Sequence, residues 1–228
     1  MSEKTGIVIG ASRGIGLGLV CELAARGYKV IASERSESDG LREAAEKHRP
    51  QIEIVKCDVT DMDSVAGLKG KCADGSVDLL VLNAGIYGDR PQELDDLTRE
   101  NVADILMTNA VSPAQAAAAL LPLVRKGGTI AMMSSKMGSI DDSSGGSNLY
   151  RLSKVSQNML SRSLFENQAK DRGVGIISLH PGWVQTDMGG PNALIDVETS
   201  VTGMLDVLEG ESAPRHAFIA YDGSPVPW

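Results

Sequence analysis

The sequence predicts an α/β protein: a doubly wound parallel sheet of about seven strands with helices on both faces. Three observations point there. Short β-branched apolar runs alternate with longer helical patterns from one end of the chain to the other. A glycine-rich turn, Gly10 to Gly16, follows the first of these runs. The 228 residues show no linker, no internal repeat and no low-complexity tract, so a single domain over 1–228 is expected.

GIVIG (6–10) reads as a buried strand, and the helix after it runs through Leu17–Ala24 and stops at Gly27. YKVIAS (28–33) is the second strand. A helix from about Leu41 to His48 follows and ends before Pro50. IEIVKCDV (52–59) is the third strand, and Asp61 is placed to cap the next helix. VDLLVLNAG (77–85) is the fourth strand and 101–125 a long helix. GGTIAMMSS (127–135) is the fifth strand. An irregular Gly/Ser-rich stretch, 136–147, precedes a helix over 148–171; loops of that kind often carry function. VGIISLHPG (174–182), a helix near 198–209 and HAFIAY (216–221) complete the chain.

The composition narrows the functional classes. Thirty acidic residues stand against 22 basic ones, a net charge of −8, and phosphate-backbone binding wants a basic face, so no nucleic-acid partner is expected. The apolar run 111–124 is interrupted by Pro113, Gln115 and Pro122 and is too short to span a bilayer, so no membrane segment is expected. Cys21, Cys57 and Cys72 are odd in number and lack metal spacing. They read as reduced thiols, which suits a cytoplasmic protein. His48, His180 and His216 show no ligand spacing, and no metal site is expected. Cys57 and His180 read as structural.

At the glycine turn, Gly10, Gly14 and Gly16 let backbone approach a bulky ligand, and the following helix offers free N–H groups to a phosphate. In such a sheet a ligand lies outside the carboxyl ends of the strands, at the switch point of strand order. Asp58, Asn83-Ala84-Gly85, Ser134-Ser135 and His180-Pro181-Gly182 all fall at predicted strand ends. On the helix over 148–171, Tyr150 and Lys154 are four residues apart and share a face, one turn from each other.

Together these motifs resemble the short-chain dehydrogenases/reductases over nearly the whole chain. GASRGIG (10–16) is similar to the family's cofactor turn, with Ile9 where threonine is more usual. LNAG (82–85) resembles its NNAG motif with Leu82 in first place. Asn109 resembles its helix asparagine, Ser135 its serine, and Tyr150-x-x-x-Lys154 its tyrosine–lysine pair. Pro181-Gly182-Trp183-Val184-Gln185-Thr186 resembles its cofactor loop. The stretches 134–146, 180–190 and 221–228 are similar to the C-factor and sniffer-type carbonyl reductases. The resemblance implies a Rossmann-type fold and NADP as cofactor, with NAD the alternative. It implies a small carbonyl or alcohol substrate and a homodimer through helices 101–125 and 148–171.

The same resemblance implies the site. Asn109, Ser135, Tyr150 and Lys154 are the expected catalytic set. Gly10, Ser12, Arg13, Gly14, Ile15 and Gly16 would hold the cofactor with Arg35, Asp58, Val59, Asn83, Ala84 and Gly85. Tyr150, Lys154, Pro181, Gly182, Val184 and Thr186 complete that set. Tyr150 would protonate the carbonyl oxygen, its pKa lowered by the Lys154 ammonium. Ser135 would stabilise the oxygen's charge. Asn109 would hold a water linking Lys154 to solvent. At the end of the second strand Glu34 suits a ribose 2′-hydroxyl, whereas Arg35, with Arg13, suits a 2′-phosphate. Tyr87, Met137, Ile140, Trp183 and Met188 are expected to line the substrate pocket, and 186–197 to act as a lid. Trp228 is expected to pack. Two other readings stay open: a sugar-nucleotide epimerase or dehydratase, disfavoured by the short stretch after Gly182, and a non-catalytic nucleotide-binding signalling protein.

Overall fold

The computed structural model describes residues 4–142, 144–210 and 214–228. Its centre is one seven-stranded sheet: β1 (Thr5–Ile9), β2 (Lys29–Glu34), β3 (Ile52–Lys56), β4 (Val77–Leu82), β5 (Val124–Met133), β6 (Gly175–His180) and β7 (His216–Ala220). All neighbours are parallel, in the order β3-β2-β1-β4-β5-β6-β7. The order reverses between β1 and β4, and that switch point opens a crevice at the carboxyl ends of both strands.

The strands are apolar on both faces because helices cover both faces. Along β1 the alternation is direct. Ile7 and Ile9 enter one core, with α3 (Met62–Gly67), α5 (Ser112–Leu120) and α6 (Asn148–Leu164). Val8 enters the other, with α1 (Gly14–Ala25), α2 (Asp39–Lys47) and α7 (Val197–Gly210). Burying such side chains is worth about 1.5–3 kcal/mol each, which makes the sheet the rigid part of the molecule. The caps follow their sequence signals. Ser38 accepts from Leu41 N at the start of α2, and Asp61 accepts from Asp63 N and Ser64 N at the start of α3.

The expected helix over 101–125 is built differently. α4 (Arg99–Leu106), capped by a reciprocal Thr98–Asn101 pair, passes through one π-helical turn (Met107–Val111) into α5. The helix ends at Leu120, and β5 begins at Val124, three residues before the expected strand. Pro122 cannot continue the helical ladder, and Val124 finds a strand partner in Val77, ahead of a register shift. The expected 148–171 helix likewise changes to a π-turn (Phe165–Ala169) after Leu164. Trp228, expected to pack, stacks on His216 at 4.6 Å and lies against Phe218 but stays 47% exposed.

Candidate active site

A cavity of about 1070 Å³ opens along the carboxyl ends of the strands. Every residue expected to bind cofactor or catalyse lines it, except Gly16 and Asn109, which lie behind the wall.

The glycine turn is fixed by close approaches. Gly10 has φ +88°, and a Cβ there would stand 2.7 Å from the Ala84 backbone. A Cβ on Gly16 would stand 2.0 Å from Gly10 O and 2.6 Å from Asn83 Nδ2. Asn83 Nδ2 donates to Gly10 O at 2.7 Å, and Gly10 N donates to Ser33 Oγ. Asn83 is thus a brace between the β4 end and the turn. The open N-terminus of α1 then points its amides into the crevice; Arg13 before it makes no side-chain cap.

At the far end of the crevice the charges sort themselves. Arg13 and Arg35 both line the cavity. Glu34, weighed as a ribose-binding carboxylate, does not. It is buried, accepts from Ser38 N at 2.8 Å and stands 3.8 Å from Arg42, so it serves the start of α2 instead. Asp58 accepts from Thr60 N and Oγ1, which holds its carboxyl below the usual range, with Arg35 adding to the effect. This donor set fits an NADP molecule: glycine backbone and helix amides for the pyrophosphate, and two guanidinium groups, Arg13 and Arg35, for a 2′-phosphate, with Asp187 beside the first and Asp58 near the second.

Around Tyr150 the geometry is tighter. Tyr150 sits in the first turn of α6, and its N–H donates to Gln92 Oε1 at 3.0 Å. Ser135 lies beside the Tyr150 hydroxyl and favours its ionised form, and its Oγ accepts from Met137 N. Lys154 Nζ lies 5.7 Å from the Tyr150 ring centroid and donates to Met133 O at 2.7 Å and Gln157 Oε1 at 3.3 Å. The expected depression of the Tyr150 pKa is not what the protein alone provides. Loss of solvation pushes the phenol up to about 12, opposed by Ser135. Burial takes Lys154 down to about 7, which weakens the charge beside the phenol near neutrality. The four-residue spacing fixed that the two groups meet; burial decided their protonation.

Asn109 is fully buried and fully engaged. Its Oδ1 accepts from Ile86 N at 2.8 Å, and its Nδ2 donates to Ile86 O and Ser153 Oγ. Ser153 donates in turn to Tyr150 O. The side chain therefore braces the loop after β4 against α6. The π-turn around Asn109, where Ser112 N reaches back five residues to Met107 O, shifts the ladder by one residue; such turns gather at functional sites.

Several contributors escaped sequence reasoning. Gln92 is buried; besides Tyr150 N it serves Tyr87 O through Nε2. Arg151 gathers the 136–147 loop onto α6 through Gly146 O, Gly145 O and Ser144 Oγ. Ser147, at φ +52°, is the one non-glycine left-handed residue among the described residues, and its Oγ meets the Tyr87 hydroxyl. Of the three, only Ser147 carried a sequence signal, membership of the irregular stretch 136–147. His180, read as structural, lines the cavity and is held neutral at neutral pH, burial taking it to about 4.

Tyr87, Met137, Trp183 and Met188 line the cavity as expected. Ile140 does not: it is 73% exposed on the outer side of its loop. The segment after Gly182 folds back on itself through Trp183 Nε1 to Gly189 O and Leu194 N to Trp183 O. Its Asp187 reaches Arg13 at 2.7 Å across the crevice.

Fold and site together define a class, the nucleotide-binding oxidoreductases built on a doubly wound sheet. The family described as short chain dehydrogenase matches residues 4–193, and the chain belongs to it. It is 40% identical to C-signal of Myxococcus xanthus over 159 residues, 68% of this chain and 94% of that protein. It is similar to a carbonyl reductase from Pseudomonas aeruginosa PAO1, solved in complex with NADP, at 35% identity and TM-score 0.92 over all of both chains. It is similar to the carbonyl reductase Sniffer of D. melanogaster at 30% identity and TM-score 0.85, again over all of both chains.

Proposed function

We propose that this chain is an NADP(H)-dependent oxidoreductase that moves hydride between the nicotinamide and an aldehyde or ketone, or the matching alcohol. One observation carries the reading: Ser135, Tyr150 and Lys154 line the same cavity as the glycine turn and its two arginines. The P. aeruginosa relative, solved with NADP, supports the cofactor. When bound, the reduced nicotinamide supplies the hydride.

The protein's own residues supply the proton and the place for it. Ser135 donates to the carbonyl oxygen as its charge grows, in a site where a preorganised donor is worth more than in water. Tyr150 hands its proton to that oxygen. A phenol that keeps its proton to about pH 12 is well suited to this direction, because a developing alkoxide is a far stronger base than phenolate. Lys154 reprotonates the tyrosine side of the site and, held near neutrality, exchanges protons readily around pH 7. Asn109, Ser153 and Gln92 hold Tyr150 in position.

The chain is read as one working domain with 186–197 as its lid. A homodimer through α4, α5 and α6 is supported by the exposed apolar side chains of Met107, Leu152 and Met159. A cytoplasmic setting is supported by three free thiols. Among the described residues no helix is long and apolar enough to cross a membrane, and the partner is a small molecule.

Tyr150→Phe tests the reading. NADPH consumption with a panel of aldehydes and ketones should fall roughly 10²–10⁴-fold, while NADPH binding, followed by its fluorescence, persists. Undiminished turnover would sink it. Tight NADPH binding with no turnover by the unaltered protein would favour the signalling reading that the similarity to C-signal keeps open.

A further inference from the structure

The cavity is basic in an acidic protein. Five lysines and arginines line it against Asp58 and Asp187, although the chain as a whole carries a net charge of −8. Four of the five cations are accounted for. Arg13 and Arg35 stand at the glycine turn and the end of β2, Lys154 is buried beside Tyr150, and Lys136 is paired with Asp142 at 3.2 Å. The fifth, Arg90, has no acidic partner among the described residues.

Arg90 does not wave freely, however. Its guanidinium lies 4.8 Å from the centroid of the Tyr87 ring, a cation–π distance, and Tyr87 stacks on Tyr150 at 5.0 Å with 22° between planes. The cation therefore stands no further from the Tyr150 ring than those two contacts laid end to end. Tyr87 is itself fixed, by Gln92 Nε2 on its carbonyl and Ser147 Oγ on its hydroxyl. The same cavity also has apolar lining: Met137, Trp183, Met188 and Leu194. An exposed guanidinium that lines a cavity, rests on one ring and has no acidic partner among the described residues suits a carboxylate, since its planar fork matches a carboxylate in two parallel hydrogen bonds.

Resting on the reductase reading, we propose that the substrates are anionic carbonyl compounds: an apolar or aromatic body with a carboxylate several bonds from the reacting carbon, the carboxylate bound by Arg90. Arg90 is a specificity residue, and Tyr87 positions it.

A matched pair of probes tests this. 4-Formylbenzoate and its methyl ester share a skeleton and differ in charge. With NADPH and the full chain, kcat/KM for the acid should exceed that for the ester roughly 10- to 100-fold, the worth of a hydrogen bond to a charged group. Arg90→Gln should bring the ratio near one by raising KM for the acid more than it lowers kcat. Arg90→Lys should keep part of the preference, and added salt should narrow it. A thermal melt confirms that each variant is folded. Equal turnover of acid and ester, or a preference that survives Arg90→Gln, overturns the proposal while leaving the reductase reading intact. If neither aldehyde consumes NADPH, the panel of aldehydes and ketones decides the reductase reading, and quenching of tryptophan fluorescence decides the receptor alone. Tighter binding of the acid than the ester, lost in Arg90→Gln, upholds it; equal binding overturns it.

Discussion

The two ends of the cavity are made in different ways. The cofactor end is backbone: the β1 turn, the β4 end and the start of α1 approach so closely that glycine is required at positions 10 and 16. The substrate end is side chain: Tyr87, Arg90, Met137 and Trp183 reach in from loops tied together by hydrogen bonds, with Gln92 buried behind Tyr87 and Tyr150. Backbone contacts between strand ends tolerate almost no change. Loop side chains can be exchanged one at a time, so this end is where one fold can be turned to different substrates.

That contrast can be broken at the backbone end first. Gly16→Val puts methyl groups where even a Cβ would stand 2.0 Å from Gly10 O. A loss of roughly 3–5 kcal/mol in a urea titration, with NADPH affinity abolished, is expected. Wild-type affinity in this variant would mean that the turn is not the rigid element described.

Between the two ends lies Lys154, and its effect depends on pH. Its folded pKa of about 7 lies well below the ordinary lysine value of 10.5. Between those values the unfolded chain binds a proton that the folded chain does not, so stability should rise with pH across that window. Lys154→Met should therefore stabilise the fold at pH 7 by roughly 2–4 kcal/mol, with the gain shrinking toward pH 10 and activity lost. Tyr150 has the opposite sign. Its folded pKa is raised, so its contribution is present below pH 10 and lost as pH rises through 12. Melting curves from pH 6 to 10 on both proteins check this; a pH-independent difference would show that Lys154 keeps its charge in the folded state.

The smallest effect is expected where a side chain serves the backbone end. Arg35→Ala should weaken NADPH binding roughly 10- to 100-fold and leave NADH nearly unchanged, read by cofactor fluorescence. Equal losses for both would mean that Arg35 holds the fold and not the 2′-phosphate.

Local patterns made much of this legible in the sequence. β1, its turn and α1 lie next to each other along the chain, and apolar runs and glycine spacing report them directly. Tyr150 and Lys154 were visible together because one helical turn separates them. Glu34 and Arg35 are adjacent and could not be told apart by position. The fold turns Glu34 to Ser38 and Arg35 to the crevice. Gln92 and Ser153 gave no signal, since Gln92 meets Tyr150 and Ser153 meets Asn109 only after folding.

By itself the sequence determined what depends on neighbours along the chain: the strands, their order of appearance, the turn and the phenol–ammonium pair. Tertiary structure decided what depends on distance through space and on the surrounding dielectric. It set which arginines face the cavity, which amide braces Tyr150, and that the phenol keeps its proton while the lysine comes close to losing its own. Periodicity is written in adjacent residues, whereas solvation and charge pairing are summed over groups from the whole chain.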